Sequence, residues 1–267
     1  MHSFSVSELS ILLVEPSSVQ LKIIMRELHQ AGITKIDNVQ SGDEAIAMLQ
    51  KYPPDLVISA MYLPDMTATE LLSAIRGLET LDNTHFMLIS SESKTEALEP
   101  LRQSGVVAIL PKPFDHANLR RAIRTTLDYI DPAEITLQNY DVDQLDVLLV
   151  DDSMVSRNQL SRVLNNMGIT QIHPAENGIE AIEKLKQQNF DLVVTDLNMP
   201  EMDGQALVEH IRTQMGNTFV PILVVTSEQN QARLGQVEQA GVSAILDKPF
   251  EPNAIRDILY RVLDGQD

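Results

Sequence analysis

Apolar residues along this chain fall into two alternating kinds of run. Short runs rich in Val, Ile and Leu are separated by longer stretches whose apolar positions recur three and four residues apart. In residues 145–267 the short runs predict strands over Val147–Val150, Gln171–Ala175, Leu192–Thr195, Pro221–Thr226 and Ala244–Leu246. Their near-continuous apolar content suits strands buried on both faces of a parallel sheet. The stretches between them predict helices over 153–167, 178–188, 204–214, 230–240 and 251–263. Ser153 stands where a helix N-cap belongs, Ser17 stands in the same place earlier in the chain, and Gly168 and Gly241 stand where helices close. Five strand–helix units in succession predict an α/β fold with a doubly wound parallel sheet, in which ligands gather at the carboxyl ends of the strands.

The whole pattern occurs twice. At a constant offset of 136, residues 9–130 align with residues 145–266 without a gap, and 40 of the 122 pairs are identical. Leu12-Leu13-Val14 lies over Leu148-Leu149-Val150, Asp55-Leu56-Val57 over Asp191-Leu192-Val193, and Lys112-Pro113-Phe114 over Lys248-Pro249-Phe250. A period this long marks two whole domains rather than a solenoid, in keeping with a length of 267 residues. The predicted organisation is a first domain over 1–130, an acidic linker over 131–144, and a second domain over 145–267.

Composition narrows the function. Apolar residues at 43% and charged residues at 22% are ordinary for a globular protein and exclude wholesale disorder. The absence of cysteine excludes disulfides, a zinc–thiolate site and a cysteine nucleophile. No apolar run approaches the ~20 residues of a membrane span, and Met1-His2-Ser3-Phe4 lacks the basic start of a secretory signal. A cytosolic location is expected. The net charge of −18 divides into −5 for residues 1–130, −4 for 131–144 and −9 for 145–267. With no basic cluster to meet phosphates, neither direct nucleic-acid binding nor an anionic membrane surface is expected. The acidity points instead to protein partners and metal cations. The methionines are dispersed and read as core filler, and the histidines share no ligand spacing.

In the second copy four predicted strands end in polar residues. Asp151-Asp152 follows the first, Asp196 the third, Thr226 ends the fourth, and Lys248 follows the fifth. A parallel sheet brings these ends to one rim. Three carboxylates there repel one another unless a cation joins them. Oxygen ligands without His or Cys favour a hard ion such as Mg²⁺ or Mn²⁺, and a lysine beside a hydroxyl suits a tetrahedral phosphoryl group. Singly, each residue has a structural explanation: an acidic pair caps a helix, threonine favours strands, and a lysine is a solvated charge. Jointly, that explanation needs four independent coincidences on one rim.

These residues carry a resemblance. Asp151-Asp152 after an apolar strand, Asp196 in Asp-Leu-Asn-Met-Pro, Met202-Asp203-Gly204, Thr226-Ser227 and Lys248-Pro249-Phe250 make the second copy similar to the CheY-like receiver domains of bacterial two-component response regulators. The resemblance implies two tandem flavodoxin-like (βα)5 domains. It also implies that Asp196 accepts a phosphoryl group from a histidine kinase or a histidine phosphotransfer protein. Asp152 would ligate Mg²⁺ directly, Asp151 through water, and the Asn198 backbone carbonyl would complete the protein ligands with Asp196. Thr226 and Lys248 would hold phosphoryl oxygens, and Lys248-Pro249 is expected as a cis peptide. Asn198 and Glu228 would flank the path of a hydrolytic water, so the phosphorylated state is expected to be transient. Ile245 stands where many receivers carry an aromatic switch residue.

The first copy departs from this set. The constant offset replaces Asp151-Asp152 with Glu15-Pro16, Asp196 with Ala60, Asn198 with Tyr62 and Thr226 with Ser90, while Lys112 persists. The first copy is therefore expected to be a pseudo-receiver that works by contact, as a homodimer surface, a docking site or a control on the second copy. Lys112 is expected to pair with Glu15. The expected function is a phosphorylation-dependent signalling protein, not an enzyme, that acts on another protein without an output domain in this chain. The alternatives are a scaffold or adaptor built from the receiver pair, or the N-terminal part of a longer regulator with an effector after residue 267. A phosphatase of the haloacid dehalogenase type would need a second Asp two residues after the nucleophile, where this chain has Asn198.

Overall fold

A computed structural model of the chain describes residues 5–81, 84–216 and 219–265. Met1–Phe4, to which the expectation about a signal segment refers, lies outside them, as does Asp267. The chain divides into two compact units, Met1–Asp131 and Pro132–Asp267.

In the first unit, strands β1 (Ser10–Val14), β2 (Lys35–Val39), β3 (Leu56–Ala60), β4 (His85–Ser90) and β5 (Ala108–Pro111) form one sheet. They alternate with helices α1 (Ser18–Gln30), α2 (Gly42–Leu49), α3 (Ala68–Arg76), α4 (Thr95–Gln103) and α5 (His116–Ile130). All pairings are parallel, in the order β2-β1-β3-β4-β5. The second unit repeats this with β6 (Asp146–Val150), β7 (Gln171–Ala175), β8 (Leu192–Thr195), β9 (Ile222–Thr226) and β10 (Ala244–Asp247). Its helices are α6 (Met154–Asn166), α7 (Gly178–Gln187), α8 (Gly204–Glu209), α9 (Gln231–Gln239) and α10 (Pro252–Leu263). The sheet order β7-β6-β8-β9-β10 is again all parallel. Both units are doubly wound, flavodoxin-like sheets, as the alternation of runs predicts.

Burial explains the composition of the strands. The central strands β8 and β9 are buried at every residue, because helices cover both sheet faces. The edge strand β7 has one covered side and carries Gln171 and Pro174 in exposed positions. Leu148, Val150, Val193 and Ile222 from the sheet meet Ile182, Leu207 and Ile211 from α7 and the α8 segment in one core. Fully burying side chains of this size contributes about 1.5–3 kcal/mol each. Ser17 and Ser153 accept from the backbone N–H groups of Gln20 and Ser156 as N-caps, and Gly168 and Gly241 take positive φ past helix ends.

Two places differ from the sequence reading. The helix expected over 204–214 is α-helical only to Glu209 and continues as a π-helical turn over His210–Gln214, where the Met215 N–H reaches the His210 carbonyl. Within that turn Arg212 reaches away to the carbonyls of Val220 and Gly241, and the Thr213 hydroxyl donates to the Glu209 carbonyl. The second place is the acidic stretch after Asp131, which is built onto the second unit. The Ile135 N–H donates to the Met167 carbonyl, those of Gln138 and Asn139 to Asp264, and Ile135 and Leu137 are buried. Ile135→Ala should therefore lower the stability of the second unit by about 2 kcal/mol or more in urea unfolding. A freely solvated linker would give less than ~0.5 kcal/mol.

Candidate functional site

Four strand ends of the second unit meet at one rim. Val150 and Thr195 are partners across β6 and β8, so Asp151 and Asp196 leave the sheet side by side. Thr226 pairs with Asp247, which puts Lys248 beyond the end of β9, and the Lys248 N–H donates to the Thr226 carbonyl at 2.7 Å. The Lys248-Pro249 bond is cis. Ligand atoms of Asp151, Asp152 and Asp196 all lie within 4.8 Å of one another. Asp151 and Asp196 are buried, and Asp152 is at the exposed lip.

Lys248 organises the buried part. Its ammonium donates to Asp151 Oδ2 at 2.7 Å and to Asp196 Oδ2 at 3.0 Å. The remaining oxygens take backbone N–H groups: Asp151 Oδ1 accepts from Ser153 at 2.9 Å and Asp196 Oδ1 from Leu197 at 2.6 Å. Burial pushes the Asp151 carboxyl above its ordinary range, against the pull of Lys248 and with the help of Asp196. Burial would lower the Lys248 ammonium, but the two carboxylates outweigh it and hold the lysine above its ordinary value. Three carboxylates against one ammonium leave two negative charges uncompensated, and their donors are all oxygen. The set therefore fits a hard divalent cation. Thr226 is buried, and its Oγ1 accepts from the Glu228 N–H at 3.2 Å. Asn198 is exposed at the mouth.

Gly204 explains how α8 starts so near the acidic pocket. A Cβ there would overlap the Asp196 carbonyl oxygen and approach Leu197 Cα at 2.9 Å. The Gly204 N–H instead donates to the Leu197 carbonyl at 3.0 Å, and Asp203 caps the helix by accepting from Ala206.

The family model of the response regulator receiver domain matches residues 11–124 and again residues 147–260. The chain belongs to this family. Chemotaxis protein CheY1 of Helicobacter pylori is 37% identical over 123 residues, covering 45% of this chain and 98% of that protein. Chemotaxis protein CheY-3 of Vibrio cholerae is 32% identical over 118 residues, covering 44% of this chain and 91% of that protein. Among solved structures, the receiver domain of a Pseudomonas aeruginosa sensor histidine kinase, with a magnesium ion coordinated in its active-site cleft, is 24% identical. It covers 45% of this chain and 97% of its own, with a TM-score of 0.42.

The first receiver domain keeps the scaffold of the rim and neutralises its charge. Buried Glu15 stands at the place of Asp151, accepting from the Ser17 N–H at 3.0 Å and from Lys112 Nζ at 3.0 Å. One carboxylate and one ammonium balance, which is the pairing expected from the sequence. Ala60 and Pro16 offer no ligand atom. Ser90 Oγ accepts from the Glu92 N–H just as Thr226 does from Glu228, and Lys112-Pro113 is also cis. Among the described residues, the single cluster of three or more metal-capable side chains is that of the second receiver domain.

Two arginines of the second receiver domain escape the sequence reading. Arg157 is buried, and its guanidinium donates to the Asp151 carbonyl and to Glu176. Arg233 donates to Asn198 Oδ1 at 2.6 Å, to Glu228 at 2.9 Å and to Asp203 at 3.2 Å. The first copy carries Leu21 and Ala97 at these positions. The second copy also gains Lys184, Lys186 and Arg261, so the comparison of copies alone does not single these two out. Titrating the full chain with Mg²⁺ or Mn²⁺ should perturb NMR signals around Asp151, Asp152 and Asp196 and leave those around Glu15 and Ala60 in place. Equal perturbation of both rims would contradict the charge argument.

Proposed function

We propose that this chain is a two-component response regulator in which Asp196 is the phosphoacceptor and the first receiver domain is a non-phosphorylatable partner module. The observation that carries this reading is Lys248 hydrogen-bonded to both Asp151 and Asp196, a buried cation already facing the position of the acceptor carboxylate. Asp151, Asp152, Asp196 and the Asn198 backbone carbonyl would hold a divalent cation, Mg²⁺ or Mn²⁺, which when bound adds positive charge against the phosphoryl oxygens.

Asp196 attacks the phosphorus of a phosphohistidine on a histidine kinase or histidine phosphotransfer protein. The new P–O bond forms to a carboxylate oxygen as the P–N bond to the donor imidazole breaks, and the imidazole leaves with that electron pair. Lys248 exchanges its bond to Asp196 for one to a phosphoryl oxygen, so its charge follows the charge that is transferred. The Thr226 hydroxyl donates to another phosphoryl oxygen. Hydrolysis then cleaves the acyl phosphate to inorganic phosphate and the free carboxylate. The signal passes to a downstream protein, and the strongly acidic surface favours a basic partner face. Among the described residues no helix is long and apolar enough to cross a membrane.

Asp196→Asn keeps the shape and removes the nucleophile, so acetyl phosphate with Mg²⁺ should label the wild-type chain and not this variant in intact-protein mass spectrometry. Lys248→Ala should slow labelling at least about tenfold, the scale of losing one well-placed charge from a transition state. A label on another side chain of the Asp196→Asn protein would show that the acceptor is misplaced.

The first receiver domain yields a complementary test. Ala60→Asp restores a carboxylate but leaves Pro16 where a ligand is needed and Glu15 already satisfied by Lys112. In a chain silenced by Asp196→Asn, Ala60→Asp should remain unlabelled. Glu15→Asp, Pro16→Asp and Ala60→Asp combined should gain measurable labelling, because three carboxylates again exceed the one lysine. Efficient labelling of the single variant would mean that the first rim binds cation without the acidic pair.

A further inference from the structure

Arg233 belongs to neither the acidic cluster nor the core, yet its guanidinium joins two loops around the proposed acceptor. It reaches Asn198, two residues after Asp196, Glu228, two residues after Thr226, and Asp203, the N-cap of α8. Glu228 passes the connection onward. Its Oε1 accepts from the N–H groups of Gln229 and Asn230, and Asn230 caps α9, while the Glu228 N–H is held by Thr226 Oγ1. A continuous polar chain thus runs from the acceptor loop through Arg233 to the Thr226 hydroxyl and the first turn of α9.

That chain matters because α9 is weakly anchored otherwise. Val237 is its only fully buried residue among those described, and Gly235 inside it costs about 1 kcal/mol of helix propensity. The first receiver domain supplies an independent comparison. The same two loop positions are tied there too, but directly, by the Tyr62 hydroxyl donating to Glu92 at 3.0 Å, and the position of Arg233 is Ala97. Both domains therefore tie the loop after the third strand to the loop after the fourth. Only the domain with the acidic rim uses a guanidinium with a fork of donors to do so.

We infer that Arg233 is a positioning residue for the acceptor site, a latch that holds the side chains of Asn198 and Glu228 together across the mouth and so limits water access to a phosphorylated Asp196. The inference rests on the phosphoacceptor reading for its kinetic consequence and not for its geometry. Arg233→Gln removes both charge and fork. Arg233→Lys keeps the charge but offers a single ammonium to three partners. Pairing Arg233→Ala with Asn198→Tyr rebuilds the direct tie seen between Tyr62 and Glu92, leaving the Asn198 backbone carbonyl in the chain.

Two measurements on the intact 267-residue chain test this. Hydrogen exchange without any phosphodonor should speed up at the amides of Glu228, Gln229 and Asn230 in Arg233→Gln and Arg233→Lys, and return toward wild type in the paired variant. After labelling with acetyl phosphate and Mg²⁺ and removal of the donor, loss of phosphate should be about threefold faster in both single variants, as expected for one exposed ion-pair network, and slower again in the paired variant. A purely electrostatic role would spare Arg233→Lys, and a purely structural one would not respond to the rebuilt tie. Unchanged exchange at these amides in both single variants overturns the latch. Failure to label wild-type Asp196 overturns the phosphoacceptor reading instead, with the exchange measurement still deciding the latch.

Discussion

Parallel strands that end together force the residues beyond their ends into one small volume, and in the second receiver domain those residues are charged. Asp151 and Asp196 leave adjacent strands as buried carboxylates, and the Lys248 ammonium between them is the condition for burying either. Removing one partner from such a buried arrangement costs about 3–5 kcal/mol, because it strands the charge that remains. The lysine does not complete the neutralisation. It leaves a negative surplus at the lip, which Asp152 enlarges, and under the proposed function that surplus would attract a divalent cation ahead of a phosphoryl group. Backbone N–H groups from Ser153 and Leu197 fix the other carboxylate oxygens, so both carboxylates are held in place by the fold itself.

The duplication shows which parts of this arrangement are scaffold and which are chemistry. Both domains share the sheet order, the serine caps before α1 and α6, and the backbone bond from the lysine N–H to the strand beside it. These depend on strand composition and turn geometry, which the aligned sequences preserve. The first domain differs at all three acidic positions, with Glu15, Pro16 and Ala60, and loses two of the three carboxylates, so a site with a charge surplus becomes a closed Glu15–Lys112 pair. A balanced pair is self-sufficient, and the fold tolerates it because the lysine still has a carboxylate to face. The fold thus accommodates a rim without the acidic cluster.

Around the mouth the two domains diverge more than around the base. The loop after β3 carries Tyr62, which reaches Glu92 directly, and the equivalent loop after β8 carries Asn198, which meets Arg233 instead. Gly204 permits α8 to begin against the Asp196 carbonyl, where the first domain has Ala68. Gly204 at the base and the Arg233 tie at the lip let the loop after β8 stay close to the sheet while Asn198 is exposed.

The fold was legible in the sequence because its determinants are local. Apolar runs buried on both faces need no knowledge of their neighbours to be read as parallel strands, and Ser153, Gly168 and Gly241 mark helix ends by their own backbone chemistry. The grouping of Asp151, Asp152, Asp196, Thr226 and Lys248 was legible too, since strand order alone brings strand ends to one rim. The comparison of copies likewise gave the Glu15–Lys112 pair. Other features depend on distances that no spacing encodes. Arg233 looks like a solvated helix charge until two loops close around it, and Arg157 looks misplaced until the Asp151 carbonyl accepts from it. The stretch after Asp131 reads as linker because its few apolar residues lack periodicity, yet Ile135 and Leu137 are buried and the stretch hydrogen-bonds to α10 and its C-cap residue Asp264. Periodicity reports only surfaces that elements present to one another regularly. Contacts made by single side chains or by extended chain lying on a finished domain are settled by tertiary packing.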